Sequence, residues 1–418
     1  MISSDERPEM KTHIIKICGS ILTVLLLFSC SLEPGKTAKP EEAGLSGKHL
    51  RRLDGIIEEA IARRDFPGAV IEVGRKGKIV WRKAYGDSQW VSQRRPMDET
   101  MIFDLASLTK PIATATSIMI LVEQGRISLD EMVKDYVPGF APYVNPDGTP
   151  AEDARLWHLL THTSGLPSYT TEEDAAEIDK RYGRPCPTAA LVNYIAQLPK
   201  TDPPGTAFHY SCLGYITLAH ILNKITGQDV AEFSAEHIFK PLGMKHTFFN
   251  PPARYRKDCV PTEVVDGKPL VGVVHDPLAR LQGGVSGNAG LFSSADDLAV
   301  FAQMMLGRGE YKAVRILSPL AVARMTSLWK KAPLAGRGLG WDLSSPYSSN
   351  GGDLFGPRSY GHSGYTGTSL WVDPETETFV IFLTNSVHPN DKGSIIAMRS
   401  RVANVVASSI LDPRPASR

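Results

Sequence analysis

Ser107-Leu108-Thr109-Lys110 places a hydroxyl and an amine three residues apart, where the short lead Phe103–Leu105 turns into an apolar run. The run Ile112–Glu123 is rich in Ala, Met and Leu and meets no Gly or Pro before Gly125, which predicts a buried helix. Residues i and i+3 share a helix face, so Lys110 is expected beside the Ser107 oxygen. An ammonium cannot take a proton, so the pattern predicts a lysine with a lowered pKa. Ser107 would stand at a helix N-terminus, where unpaired N–H groups favour developing negative charge. The chemistry is that of a serine nucleophile in acyl transfer. A second match, Ser327-Leu328-Trp329-Lys330, follows a helical pattern and precedes Lys331 and Pro333. It reads as an exposed helix end.

Two further stretches supply partners. Tyr210 lies in FHYSCLGY, just ahead of the helical pattern ITLAHILNKITG. A tyrosine near an ammonium loses its proton more easily and could act as general base toward Ser107. His362-Ser363-Gly364-Tyr365 precedes the strand pattern SLWVDP. Small residues at a strand edge let a substrate approach and expose N–H groups, which with that of Ser107 could form an oxyanion hole. His362 is expected to donate to the substrate. Taken singly, Tyr210 is a tyrosine packed at a loop and His362 a structural edge histidine. Cys212 at a helix start is a rival nucleophile, but no histidine base is paired with it by sequence.

The elements that must position these groups follow from periodicity. Ser46 caps a helix running to Arg64, with Leu50, Leu53, Ile56, Ile57, Ala60 and Ile61 on one face. Residues 68–74 and 78–85 read as a hairpin turning at Arg75-Lys76-Gly77. Helices are expected at 107–124, 153–162, 187–198, 211–226 and 230–240, and short strand-like pieces at 260–274. The Gly-rich stretch 283–290 reads as a structural turn before a helix at 294–306. Strands at 358–363, 368–373 and 378–384 precede a final helix over 394–411. Strands at both ends imply one sheet closed by the two terminal segments, with a helical block inserted. The expected lobes are a sheet lobe, about 46–106 and 290–412, and a helical lobe, about 107–289, with the site in the crevice between them.

Composition bounds the function. The chain has 418 residues, 42% hydrophobic, with 46 Lys+Arg against 45 Asp+Glu. No basic excess points to nucleic acid. Lys11 and Lys16 precede the apolar run Ile17–Phe28, too short to span a bilayer, so residues 1–30 read as an export signal. Leu27-Phe28-Ser29-Cys30 resembles a bacterial lipobox, which implies lipidation at Cys30, a membrane anchor and a cell-envelope location. Residues 31–45 read as a tether and 46–412 as the domain. Cys186, Cys212 and Cys259 would allow one disulfide in an exported protein. His158 and His162 in WHLLTH lack the glutamate of H-E-x-x-H and read as a helix ending near the site surface. No Gly-x-Ser-x-Gly is present, which argues against an alpha/beta-hydrolase.

Taken together, Ser107-Leu-Thr-Lys110, Tyr210-Ser-Cys212 and His362-Ser-Gly364 resemble, in order and rough spacing, the serine beta-lactamase-related family. That family includes class C beta-lactamases, DD-peptidases and family VIII esterases. Leu159–Leu166, Gly290–Leu298 and Gly367–Pro374 are similar to it too, so the resemblance covers roughly 44–410. It implies an α+β beta-lactamase/transpeptidase-like fold, an antiparallel sheet flanked by N- and C-terminal helices with an inserted all-helical lobe. It implies Ser107 as the acylated nucleophile, Lys110 and Tyr210 sharing proton transfer, and His362, Ser363 and Gly364 on the substrate side. The N–H groups of Ser107 and Tyr365 would form the oxyanion hole, with no metal or organic cofactor. Two departures stand out. Cys212 replaces the Asn that usually ends the second motif, and a thiol is a weak donor and poor acceptor. His362 replaces the usual Lys and is mostly neutral near pH 7. Both weaken recognition of a beta-lactam. The expected activity is hydrolysis of an ester or amide, as an esterase or as a peptidase or amidase on cell-wall-derived material. The alternative is a beta-lactamase or a penicillin-binding sensor with little turnover.

Overall fold

The computed structural model describes residues 37–412 apart from residue 92 and residues 392–394. The expected export signal, Cys30 and the start of the tether lie outside the described residues.

The strands that matter are β1 Gly68–Arg75, β2 Lys78–Gln89, β3 Arg95–Pro96, β4 Phe103–Asp104, β5 Phe248–Phe249, β6 Leu291–Ser293, β7 Tyr360–Ser363, β8 Ser369–Asp373 and β9 Thr378–Thr384. The first three and last three form one sheet in the order β7-β8-β9-β1-β2-β3. Its neighbours pair antiparallel throughout, Ala69 opposite Thr384 and Gly361 opposite Trp371. A shorter sheet runs β4-β6-β5 and carries the chain into the site. The main helices are α1 Arg52–Ala62, α2 Thr116–Glu123, α3 Cys212–Thr226, α4 Ala295–Leu306 and α5 Ile396–Ser408.

Two-residue alternation decides which core each strand residue joins. Ala69, Ile71 and Val73 of β1, with Val380 and Phe382 of β9, pack against Leu53, Ile57 and Ala60 of α1 and Met398, Val402 and Val406 of α5. Val70, Phe379, Ile381 and Leu383 face the other way, into the larger core that also holds Leu105, Ile112, Leu213, Ile216 and Trp341. Strand β1 has β9 and β2 along its edges and a core on each face, so all eight residues are buried. This is the antiparallel sheet with terminal helices that the motifs imply.

Four expectations change. The 107–124 helix is three pieces: a 3-10 turn Ala106–Leu108, a π-helical stretch Lys110–Ala115, then α2. Pro111 cannot donate and crowds the carbonyl four residues back, which accounts for the wider turn. Residues 38–45, expected as tether, pack on the domain: Ala43 and Leu45 are buried, Ala38 N–H bonds Ile79 O at 2.8 Å, and Arg75 Nη1 bonds Ala43 O at 2.6 Å. No disulfide forms among Cys186, Cys212 and Cys259. A helix at Glu172–Tyr182 escapes the periodicity because it is polar, with Ile178 a fully buried apolar anchor; the Thr171/Asp174 capping box is its signal.

Candidate active site

Ser107 stands on a constrained turn. Asp104, 2% exposed, accepts the N–H of Ala106 at 2.9 Å and of His275 at 2.7 Å. Ala106 takes φ +45°, a left-handed conformation that a non-glycine residue holds only when its surroundings impose it. Thr366 Oγ1 bonds Asp104 O at 2.7 Å and Thr368 Oγ1 bonds Leu105 O at 3.0 Å, so the turn after β7 clamps the serine turn. Gly364 is needed for that approach: a Cβ there would lie 2.3 Å from Leu105 O and 2.2 Å from Thr368 Oγ1.

Lys110, fully buried, donates from Nζ to Ser107 Oγ at 2.9 Å and to Asn288 O at 3.0 Å. Burial opposes its charge, but Cys212 and Tyr210 beside it favour the ammonium more, and its pKa is raised. The lowered value expected from sequence is corrected: the shift is upward, in favour of the ammonium.

Tyr210 lies on the loop leading into α3, its ring 5.0 Å from Lys110 Nζ. His162 holds that loop. Its φ is +59°, its Nδ1 accepts Ser211 N–H at 3.0 Å and its O accepts His209 N–H at 2.9 Å. The His162 ring packs 4.3 Å from that of Tyr210 and is 1% exposed. The helix does end near the site, as expected, and His162 just beyond it is a buried brace for the general-base candidate. Ser211 caps α3, and Cys212 is its first residue. Burial pushes the Cys212 thiol up, although Lys110 and the Asn288 amide pull the other way. That direction leads away from the thiolate a nucleophile needs.

Asn288 is the residue that sequence reasoning missed. It sits in the Gly-rich loop read as a structural turn, and its carbonyl is the second acceptor of Lys110. Gly287 lets this loop press onto α3, since a Cβ there would fall 2.0 Å from Tyr215 O. Thr114 Oγ1 closes the contact on Gly287 O at 2.7 Å. A lone Asn among glycines carries no motif signal; only the packing reveals it.

His362 corrects another expectation. Its Nδ1 lies 2.9 Å from Ser363 O, and a carbonyl can only accept, so Nδ1 carries the proton. Burial, Arg337 and Lys110 hold its pKa well below the usual range, so the ring is neutral. The remaining nitrogen, Nε2, is a bare acceptor with no partner among the described residues. His362 offers a lone pair, not a donor.

Ser107, Tyr210, His362, Ser363, Gly364 and Tyr365 line one cavity of about 510 Å³, with Lys110 behind Ser107. Ser327 lies beyond the end of its helix, Pro319–Met325, and does not line the cavity. The cavity thus brings together a hydroxyl, a fixed cation, a phenol and a strand edge, which suffices for attack on an acyl carbon.

The family model described as Beta-lactamase matches residues 53–404. The chain is 33% identical to the N-acetylmuramyl-L-alanine amidase of Bacillus subtilis (strain 168), over 91% of this chain and 92% of that protein. It is 30% identical to the putative D-alanyl-D-alanine carboxypeptidase of Escherichia coli (strain K12), over 87% and 89%. In fold it is similar to EstCE1, a hydrolase with promiscuous acyltransferase activity, with TM-score 0.69 and 22% identity over 86% of this chain and 99% of that one. A class C beta lactamase from Rhodobacter sphaeroides gives TM-score 0.63 and 22% identity over 86% and 99%. With a model match across most of its length and relatives aligned nearly end to end, this chain belongs to the beta-lactamase family of serine hydrolases.

Proposed function

We propose that this chain is an exported hydrolase that opens an ester or amide bond of cell-wall-derived material through an acyl-enzyme on Ser107. The observation that carries the reading is the 2.9 Å contact between Lys110 Nζ and Ser107 Oγ, with Tyr210 on the same cavity. In this reading Tyr210 acts as a phenolate, and its oxygen takes the Ser107 proton as Oγ attacks the acyl carbon. The Lys110 ammonium stabilises the charge that develops on either oxygen. The bond to the leaving group breaks, and Tyr210 returns the proton to it. Water then repeats the sequence on the acyl-enzyme. The N–H groups of Ser107 and Tyr365 are the proposed oxyanion donors. The names of the two relatives, an amidase and a putative carboxypeptidase, both describe amide bonds to alanine, which supports an amide in wall material as the target. Export and a lipid on Cys30 rest on the leader-like residues 1–30. Among the described residues, no helix is long and apolar enough to cross a membrane.

A penicillin-binding protein with little turnover is the second reading; Cys212 in place of an amide side chain bears on its low turnover. A fluorophosphonate probe separates the parts. Intact mass should rise by one adduct in the wild type and stay unchanged in Ser107→Ala. Lys110→Met should label about 1,000-fold more slowly. Equal labelling of wild type and Ser107→Ala would remove Ser107 from the mechanism.

A further inference from the structure

Arg399 is a buried cation to which the acyl-transfer steps above give no role. It projects from α5, whose Met398, Val402 and Val406 pack against the sheet, and it borders the cavity while only 7% exposed. Nη2 donates to Gly364 O at 2.6 Å and Nη1 to Asn350 Oδ1 at 3.3 Å, while Nε has no partner among the described residues. Asn350 is turned for this contact, because its Nδ2 donates to Tyr347 O at 2.6 Å. Both acceptors of Arg399 are neutral, and burial pulls its pKa down to about 10. Gly364 O also accepts Gly367 N–H at 3.1 Å, and Gly364 N–H goes to Thr368 O at 2.7 Å. Gly364 O and Tyr365 N–H are the two ends of one planar peptide and point in opposite directions. A guanidinium that holds the oxygen therefore fixes where that N–H points. It also draws electron density toward the oxygen, which makes the N–H a stronger donor.

Resting on the hydrolase reading above, we infer that Arg399 is a positioning residue for the oxyanion hole: bound to Gly364 O, it aims and polarises the Tyr365 N–H without touching substrate. Hydrogen-bonded only to neutral oxygens among the described residues, this buried cation lacks an anion in the resting site. The oxyanion that forms on the far side of the Gly364–Tyr365 peptide supplies one, and only while the acyl carbon is tetrahedral. The interaction therefore strengthens between bound substrate and transition state, so it acts on kcat rather than on KM. It asks for no charge on the substrate, and a neutral ester feels it in full.

The test is steady-state hydrolysis of p-nitrophenyl acetate by the full-length protein. This substrate is uncharged, so a contact between Arg399 and a substrate anion cannot account for the result. Acylation and deacylation both pass through the oxyanion hole, so kcat reads it whichever step is slow. Arg399→Gln should lower kcat about 100-fold, with KM within a few-fold of wild type. Arg399→Lys, which keeps a cation, should recover about tenfold of that loss. Asn350→Asp puts a carboxylate beside Nη1 and should lower kcat about tenfold without lowering the melting temperature. It decides the question where Arg399→Gln does not fold. An unchanged kcat in Arg399→Gln or in Asn350→Asp, or a change confined to KM, overturns the inference. Fluorophosphonate labelling separates this from the hydrolase reading. No adduct on wild-type Ser107 removes both, whereas a labelled wild type with unchanged variants removes the role of Arg399 alone.

Discussion

Glu72 sets a pH limit on stability that is separate from catalysis. It sits in the middle of β1, 1% exposed, opposite Arg82 of β2. Arg82 is already taken: Asp296 holds it through Nε and Nη2, both at 2.8 Å, and Glu99 holds Nη1. Three carboxylates thus surround one guanidinium. Burial first, and then repulsion from Asp296, push the Glu72 carboxyl from 4.5 up to about 8. At about 1.4 kcal/mol per pH unit, ionising it costs about 5 kcal/mol more in the folded protein than in the unfolded chain. The sign follows from the raised value. The stability contribution is whole below the unfolded pKa and is lost as pH climbs toward the folded one. Wild-type stability should therefore fall by about 4 kcal/mol between about pH 5 and about pH 8.5, a large share of a typical 5–15 kcal/mol total. Glu72→Gln keeps the shape and removes the charge. Urea denaturation should show it matching the wild type near the acid end and exceeding it by about 4 kcal/mol at the alkaline end. If the two proteins lose stability in parallel, Glu72 is not the group that titrates. An alkaline fall in activity should be judged against this curve before it is assigned to Tyr210 or Lys110.

Two further outcomes test the site. Gly364→Ala adds a methyl 2.3 Å from Leu105 O, so either β7 or the Ser107 turn must move. A displacement of about 1 Å at the nucleophile should cost about 100-fold in acylation rate, with about 1–3 kcal/mol of stability; unchanged fluorophosphonate labelling would show that the clamp is dispensable. Cys212→Asn puts an amide beside Lys110 and Asn288, and nitrocefin turnover should rise about tenfold or more if the missing amide limits beta-lactam recognition. No gain would shift the limit to His362, whose Nε2 presents an acceptor rather than a cation.

What the residues alone determined is the set of local patterns and their order. Ser107 and Lys110 are one helical turn apart, the strand alternation of 68–74 and 378–384 assigns each side chain to one of two cores, and the three motifs imply the family and its sheet with terminal helices. Those features depend on neighbours in the chain, so periodicity and spacing carry them. The tertiary structure decided the rest, because charge state and hydrogen-bond role depend on groups distant in sequence. Lys110 is shifted toward the ammonium since Cys212 and Tyr210, about 100 residues on, enter its pocket. His362 becomes an acceptor at Nε2 since its Nδ1–H is donated to Ser363 O and burial keeps the ring neutral. Asn288, a loop residue without a motif, becomes a partner of Lys110 only because Gly287 lets its loop lie against α3. Arg337 is an ordinary arginine in the sequence; only the fold buries it beside Tyr210.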